Sequence, residues 1–209
     1  MKTSHKLALL VAALAGTVPA RATLFTFDGV ASGTAANDLS QAGITFQPGV
    51  FLPDTDSFGS DIPGTEKWHV DGTAPAVTVD DPNGFGRGNA PSPANALNAL
   101  FQPVLVLFPA ATDVTAFTAK LDNDTFGDSN LTVDFYDAND HLLASLPLDQ
   151  TVAGFTFTSG TLNGLSKVVL PGGAFYDNVG FTAVPEVDAR VLTAGVLLAG
   201  AALVRRLRA

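Results

Sequence analysis

A chain of 209 residues with no cysteine holds its fold by apolar burial, not disulfides, and its length suits one domain plus processing segments. Between residues 23 and 185 only four basic residues (Lys67, Arg87, Lys120 and Lys167) accompany eighteen acidic ones, a formal charge of −14. A surface of that sign argues against phosphate neutralisation, so no nucleic acid partner is expected; divalent cations or neutral glycans suit it better.

The first segment carries Lys2 and Lys6, then an apolar run over residues 7–15, then Ala20-Arg21-Ala22 as a small-x-small site. That order predicts a secretory signal peptide over residues 1–22, cut by signal peptidase after Ala22. The run is too short to stay behind as a membrane span.

Residues 23–183 read as a β domain. Period-two runs recur in chain order: LFTFDG, GITFQ, WHV, AVTVD, PVLVLF, DVTAFTAKLD, LTVDFYD, LLASLPL, GFTFTS, LSKVVL and YDNVGFTAV. In LTVDFYD, Leu131, Val133 and Phe135 fall on one side and Thr132, Asp134 and Tyr136 on the other, the pattern of a strand buried on one face. Turn residues separate the runs at Asp81-Pro82-Asn83-Gly84, Asn139-Asp140, Ser159-Gly160 and Pro171-Gly172-Gly173. Residues 95–101 fit either one or two helical turns or a further strand. The class expected is all-β: a two-sheet antiparallel sandwich, jelly-roll-like, with its first and last strands as neighbours and both ends of the domain near one edge.

Residues 184–209 form a third segment. Residues 191–204 carry no charge, and an apolar helix of that length reaches about 21 Å, short of a hydrocarbon core of roughly 30 Å. Arg190 before it and Arg205, Arg206 and Arg208 after it extend its reach and hold the basic end on the cytoplasmic side. The order Val184-Pro185-Glu186, single apolar transmembrane helix, arginine-rich tail resembles the PEP-CTERM sorting signal of Gram-negative bacteria. Pro185 and Glu186 match its motif, and Val187 stands where the second proline usually lies. The resemblance implies an exosortase-like processing enzyme that recognises Pro185 and Glu186. It also implies transient membrane anchorage by the helix, and delivery to the cell envelope, cell surface or extracellular matrix. Over the body, Phe27-Asp28 and Asp177-Asn178-Val179-Gly180-Phe181 resemble the first and last strands of β-sandwich domains in PEP-CTERM proteins and, more loosely, of carbohydrate-binding modules.

Few residues offer chemistry. Beyond the signal peptide only His69 and His141 remain, no cysteine nucleophile exists, and neither GxSxG nor HExxH occurs, so the protein is not expected to be an enzyme. Residues 122–130 are dense in oxygen ligands, with Asp122, Asp124 and Asp128 as candidates for calcium. A hairpin loop capped by its own Asp and Asn side chains explains the same stretch. Asp28 and Asp177 are a second candidate calcium pair if the terminal strands meet. Trp68, with His69 and Tyr136, is the aromatic feature suited to stacking on a sugar ring. The expectation is an exported, non-enzymatic structural or adhesive unit that requires no cofactor, structural calcium aside. The alternative is a carbohydrate-binding module, calcium-dependent or not, with polysaccharide as partner.

Overall fold

The computed structural model describes residues 21–39, 42–82, 95–121, 130–152 and 154–184. They form twelve strands: β1 (Arg21–Phe25), β2 (Thr34–Ala35), β3 (Thr45–Leu52), β4 (Lys67–Val70), β5 (Thr78–Asp80), β6 (Ala96–Ala99), β7 (Val104–Leu121), β8 (Leu131–Tyr136), β9 (Leu142–Leu148), β10 (Thr156–Thr158), β11 (Leu162–Leu170) and β12 (Ala174–Ala183). A single 3-10 turn, Ala36–Leu39, is the only helical element among the described residues. None of their helices is long and apolar enough to cross a membrane, and residues 191–204 lie outside them.

The strands join in one network, ordered β2-β5-β6-β12-β7-β11-β8-β9, with β1 on β12, β10 on β7, and β3 bridging β7 and β4. Every pairing with a defined register is antiparallel. The two expected layers are therefore continuous through β7. Its first residues, Val104 to Leu107, lie between β3 and β11, and its later ones, Val114 to Leu121, pair with β12 and β10.

Alternation decides what each half buries. Phe46, Val106, Val168 and Phe135 stand opposite one another across β3, β7, β11 and β8, and all four are in the core. In the other half Val79, Leu97, Tyr176 and Leu121 make the matching row across β5, β6, β12 and β7. Edge-to-face ring pairs join the halves: Phe25 with Phe46 at 5.0 Å, Phe117 with Phe135 at 5.6 Å, and Phe108 with Phe181 at 5.1 Å. The result is a sandwich-like all-β fold around one core.

The terminal strands pair as the sequence suggests, β1 on β12, although β12 lies inside the network and not at its edge. Asn178, with φ 50°, sits where the register of β12 shifts between Asp177 and Gly180. A Cβ at Gly180 would meet the Thr23 carbonyl oxygen at 2.9 Å, so the close approach of β1 demands glycine there. Ala22 is the second residue of β1, so cleavage after it leaves residues 23–25 for this pairing; Ala20 lies outside the described residues.

Candidate functional site

Part of the sheet carries a further layer on its outer face. On β11, Val168 and Leu170 belong to the core, yet Lys167 and Val169 are also buried, as is Leu105 opposite Val169. Their side chains face the outer surface of the sheet, so something must cover them. The cover is the β3–β4 hairpin, in which Gly49, Val50, Phe51 and Leu52 pair with Val70, His69, Trp68 and Lys67. It starts where Gly49 passes over Leu105: a Cβ at Gly49 would lie 2.8 Å from Leu105 Cδ2. Bulk at residue 49 would hold the two strands apart.

Lys167 latches this hairpin down. Its ammonium donates to the Trp68 carbonyl oxygen at 3.0 Å, pairs with the Asp140 carboxylate, and stands 5.3 Å from the centre of the Tyr136 ring. Trp68 in turn packs on Phe51, ring centres 5.2 Å apart. Burial raises the Tyr136 pKa first, and the charges of Asp134 and Asp140 add to it, against a polar contact from the Trp68 side chain. The structure thus brings together Trp68 of the hairpin and Tyr136 of β8, both singled out for sugar stacking, as half-buried partners.

The opposite face of the hairpin borders an open groove of about 500 Å³, lined among others by Val50, Leu52, Asp54, His69, Val70 and Asp71. Asp54 is fixed by Lys67, whose ammonium reaches Oδ1 at 2.9 Å and Oδ2 at 3.0 Å; that bond raises the lysine pKa. His69 Nε2 is enclosed without a hydrogen bond, 3.9 Å from Asp54 Oδ1. Asp71 closes a turn: its Oδ1 accepts from Thr73 N at 2.9 Å, Thr73 Oγ1 at 2.7 Å and Ala74 N at 3.2 Å. These bonds, the Thr73 hydroxyl first, hold the Asp71 pKa below the ordinary carboxylate value. Of these, His69 stood out in the sequence beside Trp68, whereas Asp54 and Asp71 were not singled out as site residues. The Asp71-Gly72-Thr73 turn signal was there to read, but the return of β4 beside β3 was not.

The hairpin tip is tightly built. Asp56 Oδ1 accepts from Phe58 N at 2.8 Å and Ser60 N at 2.9 Å, Asp56 N donates to Ser60 O at 2.8 Å, and Thr55 and Asp61 form a β-bridge. This holds Phe58 91% exposed to solvent.

The metal candidates are placed apart in environment. Asp28 is exposed in the turn after β1, whereas Asp177 is 1% exposed, accepts from Asn178 Nδ2 at 2.9 Å, and stands opposite Lys120 in register. Among the described residues no group of three or more His, Cys, Asp or Glu side chains is placed to hold a metal. Asp122, Asp124 and Asp128 lie outside the described residues, as do Pro185 and Glu186.

Comparison with protein-family models, with curated proteins and with solved structures finds no significant match to this chain.

Proposed function

We propose that this is an exported bacterial surface or exopolysaccharide-matrix protein, a non-enzymatic structural or adhesive unit with a jelly-roll-like sandwich. The observation that carries the reading is the extent of the folded body. Ala22–Ala183 forms one compact unit, and its bounds fall within a residue of the two terminal segments that read as addresses. An all-β domain whose described buried core runs from Phe25 to Phe181 has core enough to lose both. Pro185 and Glu186 are then the recognition element for an exosortase-like enzyme, the apolar segment the membrane stop, and the arginines the orientation lock.

The state of the carboxylates supports a structural role. Asp71, Asp80, Asp137 and Asp149 all have pKa values held down by hydrogen bonds that close turns or tie loops. Carboxyl groups lowered in this way are poor proton donors near neutral pH.

Intact mass of the protein isolated from its own host, with the cell fraction recorded, tests the reading. The expected species begins at Thr23, has lost residues C-terminal to the Pro185-Glu186 region, and is found in the envelope or matrix. Recovery of all 209 residues from the cytosol would overturn it.

A further inference from the structure

We infer that the groove along the β3–β4 hairpin binds a polysaccharide that carries no anionic groups. The inference rests on the reading of an exported matrix protein and adds a ligand class and a site to it.

A sugar ring presents an apolar C–H face and a polar rim of hydroxyls, and the groove offers a match to each. Its apolar side is open: Leu52 is 48% exposed, beside Val50 and Pro53. Its polar side is set by Asp71, whose Oδ1 takes all three turn hydrogen bonds while Oδ2 takes none of them. An ionised acceptor held in place by a turn gives a charge-assisted bond to a hydroxyl or amine with little ordering cost. Thr55 and Thr73 add hydroxyl groups to the same lining. The volume, about 500 Å³, falls within the roughly 300–1,000 Å³ of small-ligand clefts. Among the described residues β4 pairs only with β3, so the groove lies by an edge of the network.

Charge narrows the class. The cation beside the groove, Lys67, is bound by both oxygens of Asp54, so no free cation of this pair remains for a carboxylate or sulfate. The body around it carries −14 between residues 23 and 185 and repels polyanions. Neutral glycans and amine-bearing glycans share the remaining chemistry.

The purified full chain is titrated by calorimetry with oligomers of N-acetylglucosamine, of glucosamine and of glucose, and with alginate oligomers as the anionic control. Binding to at least one of the first three and none to alginate is expected. Preference for the glucosamine oligomer, lost in Asp71→Asn, identifies an amine-bearing ligand; equal binding of the neutral oligomers identifies a neutral one. Asp71→Asn keeps an oxygen for the turn, and it and Leu52→Ser should each weaken binding about tenfold, which corresponds to 1.4 kcal/mol. Hydrogen exchange on the unmutated chain locates the site even if a variant misfolds: amides of residues 50–55 and 69–73 gain protection. No binding to any of the three oligomers, or equal binding to alginate, overturns the inference. Binding with protection elsewhere, or unchanged by both variants, removes the groove. The export reading stands or falls separately, on the mature mass.

Discussion

Lys167 reaches out of the sheet to hold Trp68: its ammonium, on the outer side of β11, donates to the Trp68 carbonyl at 3.0 Å while pairing with Asp140. A lysine in mid-strand ordinarily points to water, but this side chain is 10% exposed because the hairpin lies over it. Trp68 is the sole tryptophan, so its emission reports on the latch. Lys167→Met keeps the stem and removes the three donors. Hydrogen bonds to charged groups contribute about 1.5–3 kcal/mol, and the partly exposed Asp140 rehydrates, so a loss of about 2 kcal/mol is expected. For a domain of this size that lowers Tm by roughly 4–8 °C. Red-shifted Trp68 emission should accompany it. Unchanged emission and Tm would mean the hairpin is held by packing alone.

Gly49 sets how closely the hairpin can approach. Gly49→Ala places a methyl 2.8 Å from Leu105 Cδ2 and 3.0 Å from its Cγ, both buried side-chain atoms. Overpacking of this kind costs about 1–3 kcal/mol. Leu105→Ala alone should also destabilise by opening a void, yet the two together should cost less than their sum. Chemical denaturation of the two single variants and the double variant measures this coupling. Strict additivity would place the strain elsewhere.

The limits of the sequence reading have the same cause as this latch. Alternation exposed β8 cleanly, because Val133 and Phe135 face the core while Thr132 faces solvent. It split β7 in two at Pro109, where exposed residues interrupt the apolar pattern, although the strand runs on to serve both halves. Ala96–Ala99 stayed ambiguous because so short an apolar run has no resolvable period. Trp68 and Tyr136 stood out as aromatics, but what covers the outer face of β11 is a long-range event that local patterning does not encode. Lys167 and Val169 are buried there by a segment about a hundred residues earlier. The groove was missed for the same reason: its lining combines the two strands and both flanking loops of the hairpin.

Asp80 makes acid sensitivity a test of the loop network. Burial acts to raise its pKa, but bonds from Thr78 Oγ1 at 2.6 Å, Asn98 Nδ2 at 2.9 Å, Ser32 Oγ at 2.9 Å and Gly33 N at 3.0 Å win, and the net shift is downward. The unfolded chain, with an Asp pKa of about 3.9, therefore takes the proton first as pH falls. The stability that Asp80 contributes is complete above that value and is lost as pH drops through the folded pKa. Asp71, Asp137 and Asp149 are shifted in the same direction and add to the slope. Thermal melts from pH 7 to pH 3 should show Tm falling below about pH 4. Asp80→Asn should flatten that fall and cost about 1–2 kcal/mol at neutral pH. An identical acid slope in the variant would remove Asp80 from the account.

Phe46 tests whether the first residues after the expected cut belong to the core. It is fully buried and meets Phe25 at 5.0 Å and Phe27 at 6.2 Å, both edge to face, while standing opposite Val106 on β7. Phe25 and Phe27 lie only a few residues beyond the expected cleavage after Ala22, where a merely tethering segment would be frayed. If they are part of the cooperative unit, Phe46→Ala opens a cavity lined by all three groups and costs about 3–5 kcal/mol. Phe25→Ala should then cost a comparable amount, with coupling to Phe46→Ala of about 0.5–1.5 kcal/mol from the ring pair. A chain starting at Val30, which lacks both rings, should show lowered, broadened melting. Should that shortened chain melt at the full-length temperature, β1 would be an accessory strand, and the position of the cut after Ala22 would carry no structural meaning.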